Sequence, residues 1–186
     1  MSAFSWLAIG VILGLALVWM RREMWDFQAQ RPEDYEDEHP EFDIRRHLNG
    51  PIQCEGVIYG PLGRVTSRFV ADFDASWQGN TGLMKERFTY SDGSTQDREW
   101  RLTVDESGSI EATAPDVVGK GGGRQSGSSV LLRYQIRLPE ASGGHVLSTV
   151  DWMYLTPNGT IMNRSQFRKF GIKVAELVAT MRPKEA

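Results

Sequence analysis

"RVTSRFVADFDASW", residues 64 to 77, decides the fold. Val65, Phe69, Ala71, Phe73, Ala75 and Trp77 keep one phase of a two-residue rhythm, and Arg64, Thr66, Arg68, Asp72, Asp74 and Ser76 keep the other. Successive side chains of a strand point to opposite faces, so the stretch reads as one long strand with a buried face and a wetted one. The rhythm returns where Trp100, Leu102 and Val104 alternate with Glu99, Arg101 and Thr103. It returns again where Leu132, Tyr134, Ile136 and Leu138 alternate with Arg133, Gln135 and Arg137. Strands with one wet face pair antiparallel.

Turn chemistry separates the strands at near-regular intervals: "GPLG" (60 to 63), "WQGNTG" (77 to 82), "SDGS" (91 to 94), "DESGS" (105 to 109), a glycine stretch (116 to 129), "EASGG" (140 to 144) and "TPNG" (156 to 159). Seven turns join eight strands, and no amphipathic helix interrupts them before the C-terminal stretch. The expected fold is therefore all-β, an antiparallel up-and-down meander of about eight strands closed into a lipocalin-like barrel, because closure hides sheet edges. A two-sheet sandwich needs longer crossovers than these turns offer. The C-terminal "GIKVAELVATMRP" (171 to 183) suits either a closing strand or a helical face, and its β-branched content favours the strand.

Outside the barrel domain, residues 42 to 186, two segments stand apart. "AFSWLAIGVILGLALVWM" (3 to 20) runs eighteen residues without a charge before Arg21 and Arg22. As a helix it would reach about 27 Å, close to the hydrocarbon thickness of a thin bilayer. The order of charge and apolar run is the reverse of a signal peptide's. Trp6, Trp19 and Trp25 lie where an interfacial belt would. Residues 1 to 25 are expected to form a single-pass transmembrane anchor in a bacterial inner membrane, and Arg21, Arg22 and Arg31 place the domain in the cytoplasm by the positive-inside rule. Residues 26 to 41 hold seven acids against Arg31 alone, with prolines at 32 and 40, and read as an extended acidic tether.

The same composition excludes several functions. Formal charge is −5 over residues 1 to 41 and −3 for the whole chain, which leaves +2 from Phe42 onward, no footprint for nucleic acid. Cys54 is the only cysteine, and His39, His47 and His145 lack ligand spacing, so no metal site is expected. In "DVVGKGGGRQSGSS" (116 to 129) Lys120 is followed by Gly121 rather than Ser or Thr, and the chain continues into a strand rather than a helix. A nucleotide-phosphate cradle needs both features, so no nucleotide and no cofactor are expected, and the stretch reads as a hairpin loop or a bulged strand edge.

"DVVGKGGGRQSG", "DWMYLTPNGTIMNRSQFRKFG" (151 to 171) and "EFDIRRHLNGPI" (41 to 52) together resemble the bacterial family known as domain of unknown function 3833. The resemblance rests on Asp116 to Gly119, Asp151 to Tyr154, Asn163 with Arg164, and Lys169 to Gly171. It spans residues 41 to 182, with Val150 and Ala175 departing from the family pattern. It implies no activity, and it implies a membrane-associated protein facing the periplasm, against the arginine count. It also favours a C-terminal strand.

No nucleophile with a base is visible, so the sequence leans away from an enzyme. Asp151, Asn163, Arg164 and Lys169 fall on the last two strands, close enough for a polar cluster or for an Asp151 to Arg164 ion pair that fixes register. Aromatic side chains are numerous, and Ser67, Ala71, Ala75, Ala112 and Ala114 on inward phases imply room in the lumen. The expected ligand-binding residues are Trp100, Tyr134, Asp151, Trp152, Tyr154, Asn163, Arg164 and Lys169. The function expected is that of a membrane-anchored barrel binding an apolar or amphiphilic small molecule such as a lipid. The alternative is a solid-core scaffold that docks a membrane partner.

Overall fold

The computed structural model describes residues 2–24 and 26–184, with backbone alone at 3, 21–23 and 141. The two-residue rhythm becomes ten strands: β1 Gly50–Tyr59, β2 Val65–Gln78, β3 Thr81–Tyr90, β4 Thr95–Val104, β5 Ser109–Thr113, β6 Gly121–Ser126, β7 Ser129–Arg137, β8 Val146–Leu155, β9 Ile161–Lys169 and β10 Ile172–Pro183. Each pairs antiparallel with the next, and β10 returns to β1 with Tyr59 opposite Glu176, closing the barrel. The barrel and the closing C-terminal strand are as expected. The count of eight is corrected to ten.

The two extra strands have physical causes. Phe170 and Gly171, both at positive φ, make a two-residue hairpin between β9 and β10 in which Phe170 takes the place usually held by Asn or Gly. The glycine stretch is a strand in its own right, β6, paired to β5 and β7. A Cβ at Gly123 would lie 1.9 Å from the Leu131 carbonyl oxygen, so only glycine permits the close approach of β6 to β7.

Buried residues follow the predicted phases. Phe69, Ala71, Phe73 and Ala75 of β2, Trp100, Leu102 and Val104 of β4, and Leu132, Tyr134 and Ile136 of β7 face a single core. Val65 is exposed, beyond the register shift at Ile58 and Tyr59. A short helix, α2, Ile44–His47, begins at the Asp43 side-chain cap and seals one end. Ile44 and Leu48 join the core there, and Trp77 Nε1 donates to the Leu48 carbonyl at 2.8 Å. The β2–β3, β4–β5, β6–β7 and β8–β9 turns share this plugged end, and the β1–β2 and β9–β10 turns lie at the opposite, far end.

Residues 26 to 41 are not a free spacer. They form a strap, two short 3₁₀ turns at Phe27–Ala29 and Pro32–Tyr35, laid along the outside of β7 to β9. Asp26 meets Arg168 at 3.6 Å near the far end, Phe27 lies under the Arg164 guanidinium at 4.7 Å, and Glu38 accepts from Ser128 Oγ near the plugged end. Between them Tyr35 packs on Trp152 and Tyr154, whose rings stack 5.8 Å apart. Glu33, Glu36 and Asp37 stay outward while Phe27 and Tyr35 cover an apolar patch of Leu131, Val150 and Trp152. Gly127, at φ +48, is obligatory beneath the strap, because a Cβ would lie 1.8 Å from the Tyr35 carbonyl oxygen.

The N-terminal run is a helix, α1, Ala3–Met24, whose described large apolar side chains, Leu7, Leu13 and Val18 among them, are exposed and belong to neither core cluster. Among the described residues no helix is long and apolar enough to cross a membrane, so the expected spanning anchor is not shown by the fold. Trp25 and the side chains of Arg21 and Arg22 lie outside the described residues.

Candidate functional site

On β3 the inward phase runs Met84, Glu86, Phe88, and on β4 it runs Arg98, Trp100, Leu102. The ladder sets Glu86 directly opposite Arg98, placing a carboxylate and a guanidinium side by side in an apolar wall. Glu86 is 6% exposed and Arg98 13%. Arg98 Nε and Nη2 donate to both oxygens of Asp116 at 2.7 and 3.2 Å, Nη1 lies 3.4 Å from Glu86, and the guanidinium sits 4.9 Å over the Trp100 ring. Asp116 comes from the loop after β5, held to β7 by the Val117 to Ile136 bridge. Thr95 to Trp100 have no ladder to β5, so the Arg98 to Asp116 bridge spans that seam.

A second polar group faces inward from β8 and β9. Asp151 accepts from Asn163 Nδ2 and, at 2.8 Å, from Ser165 Oγ. Tyr134 meets Trp100 edge to face at 5.1 Å. These groups share a lumen cavity of about 110 Å3 with Phe69, Phe88, Met84, Met153 and Met181.

Burial controls their protonation. It pushes Glu86 up to about 7 against the pull of Arg98, and raises Asp151 against hydrogen bonds from Asn163 and Ser165. Tyr134 is raised well above the usual phenol value by burial and keeps its proton as a donor. Burial also drives the Cys54 thiol up to about 12, which leaves it an inert thiol rather than a nucleophile. Arg98 is held firmly charged by Glu86 and Asp116 despite desolvation.

One consequence is measurable. Folded Glu86 holds its proton up to about pH 7, while in the unfolded chain it ionises near 4.5. Between those values the native state binds the extra proton, so the stability contributed by this group is complete below 4.5 and is lost as pH rises to about 7. Urea unfolding across that window should show wild-type stability falling by up to about 1.4 kcal/mol per pH unit more steeply than in Glu86→Gln. Equal slopes would place Glu86 in water.

The expected site residues divide by face. Trp100, Tyr134, Asp151 and Asn163 line the lumen or its wall together. Trp152 and Tyr154 point outward under the strap, where the Tyr154 hydroxyl donates to Gln30 Oε1 at 2.7 Å. Arg164 is also outward, bound to Glu176 at 2.7 Å and stacked on Phe27. The Asp151 to Arg164 pair therefore does not form: Ser165 stands opposite Asp151, and Arg164 stands opposite Trp152. Lys169 lies at the far end, 3.0 Å from His145 Nδ1. The central residues that sequence reasoning passed over are Glu86 and Arg98. Their signal was present: each is a charge on the apolar phase of its strand, two residues from a buried aromatic.

The fold and the site define a closed antiparallel barrel with a small apolar lumen into which a charged cluster is built. The chain belongs to the family described as Protein of unknown function (DUF3833), which matches residues 22–183 and so takes in the strap as well as the barrel. No curated protein matches the sequence. Among solved structures the fold resembles the S-type phycobiliprotein lyase CPES from Guillardia theta, at 8% identity and TM-score 0.56, over 77% of this chain and 92% of that one. A putative exported protein with a YmcC-like fold from Bacteroides fragilis also aligns, at 11% identity and TM-score 0.35, over 70% of this chain and 94% of that one.

Proposed function

We propose that the barrel binds a compact small molecule with an apolar body and a positively charged or N–H-donating group, and that α1 fastens it to a bacterial inner membrane. The observation that carries the reading is a surplus of carboxyl groups over cations at the lumen wall. Glu86 and Asp151 face the cavity, and its only guanidinium, Arg98, is already bridged by two bonds to Asp116. A ligand ammonium or N–H completes that arrangement by drawing Glu86 or Asp151 to its acceptor form, whereas an anionic head would have to compete with those carboxyls for Arg98. The solved lyase structure supports the fold alone.

The cavity volume narrows the ligand. Sites for drug-sized molecules occupy about 300–1,000 Å3, and an apolar cavity of about 150 Å3 takes up benzene. At about 110 Å3 the lumen suits a small aromatic or aliphatic amine rather than an entire lipid. Met84, Met153 and Met181 give it an adaptable wall. The anchor is supported by the exposed apolar surface of α1, which no part of the described barrel covers.

Thermal-shift and native mass-spectrometry measurements with benzylamine, benzyl alcohol and benzoate test the lumen. Benzylamine should bind, benzoate should not, and Asp151→Asn or Glu86→Gln should weaken the amine by about tenfold or more, the worth of one lost charge-assisted hydrogen bond. Binding of benzoate as tight as that of benzylamine, or no binding by any of the three, would falsify the reading.

A further inference from the structure

The far end of the barrel carries apolar side chains that the fold has no use for. Leu62, at the β1–β2 turn, is 92% exposed; Phe170 and Ile172, at the β9–β10 turn, are 93% and 69% exposed. The closing ladder sets Tyr59 opposite Glu176, so these two hairpins leave the same end of the barrel side by side. Exposed Arg64 flanks the first tip, and Lys169, whose ammonium lies 5.7 Å from the Phe170 ring, flanks the second, where Lys173 is paired with Glu176 at 2.7 Å.

Phe170 is the more telling residue. It occupies the left-handed region at φ +51, where a bulky side chain is strained and Asn or Gly would be relaxed. Its ring packs on no core cluster. Strain held without any packing return points to a use outside the fold.

The strap fixes what lies beside this end. Asp26 meets Arg168, three residues before Gly171, so the chain passes from α1 into the strap at the far end and not at the plugged end. A helix with exposed apolar side chains and two apolar hairpin tips rimmed by cations therefore emerge at one end of the molecule.

We infer that the far end is a membrane-docking face, with Leu62, Phe170 and Ile172 entering the headgroup and acyl boundary of an anionic bilayer while Arg64 and Lys169 meet lipid phosphates. A bilayer rather than a protein groove fits because the apolar groups are separate protruding tips, not a continuous patch, and because cations border them. The plugged end, closed by Ile44 and Leu48, faces away.

The experiment uses the full chain reconstituted into phosphatidylcholine vesicles with and without phosphatidylglycerol. A polarity-sensitive dye is placed on Leu62→Cys, Phe170→Cys or, at the plugged end, Ser107→Cys; the native Cys54 is buried and unreactive. Labels at 62 and 170 should be quenched by nitroxide-bearing lipids and shielded from aqueous iodide, more strongly with phosphatidylglycerol, while the label at 107 behaves oppositely. Phe170→Asn should keep or raise the melting temperature yet reduce lipid quenching at 62, the reverse of what a structural role for the ring would give. If the protein floats with the vesicles but 62 and 170 are as open to iodide as 107, the docking face is overturned and the anchor stands. If the protein does not float with the vesicles, both are overturned.

Discussion

Replacing Arg98 with methionine is expected to destabilise the barrel by about 3–5 kcal/mol at pH 8, more than any exposed charge substitution. Arg98 faces Glu86 on one side and Asp116 on the other, and at 13% exposure almost no water can replace it. Its removal leaves buried Glu86 and the Asp116 carboxylate without their shared cation, and their mutual repulsion adds to the loss. The variant should recover as pH falls. Glu86 already holds its proton up to about 7, and without Arg98 its affinity for that proton rises further, so the native state is neutralised readily on acidification. Urea midpoints for wild type and variant should converge towards pH 5, and parallel curves would mean that the pair is solvated.

The second large effect is expected outside the lumen. Trp152→Ala should cost about 3–5 kcal/mol, as for a buried aromatic, because Trp152 is 0% exposed between Tyr35 and Val150. Endoproteinase Glu-C should then cut after Glu38, which the docked strap otherwise holds against Ser128. Were residues 26 to 41 a free spacer, Trp152 would be a surface residue and the change would stay within about 0.5 kcal/mol. Chemical denaturation separates the two values without ambiguity.

The barrel was legible because inward and outward side chains differ in kind on most strands, and β2 alone shows it. β6 was not, since a run of Gly121, Gly122 and Gly123 has no side chains to alternate, and the two-residue turn at Phe170 lacks the usual turn residues. The strap was hidden by its own acids, which dominate the composition although Phe27 and Tyr35 make the contacts. For the site, the strand period itself was the missing constraint. Asp151 and Trp152 are neighbours, as are Asn163 and Arg164, and two neighbours on a strand cannot both enter the lumen. Reading the same rule backwards from Trp100 would have exposed Arg98, and from Phe88 it would have exposed Glu86.

The docked strap also sets how far the barrel can wander. Sixteen free residues would act as a leash with a root-mean-square reach of about 22 Å, enough to let the domain sweep a wide hemisphere. Laid along β7 to β9 and pinned at Asp26, Gln30, Tyr35 and Glu38, the same residues contribute no slack, and the helix begins within two positions of the wall. The barrel is thereby committed to what lies at the foot of that helix, and a distant partner must come to it.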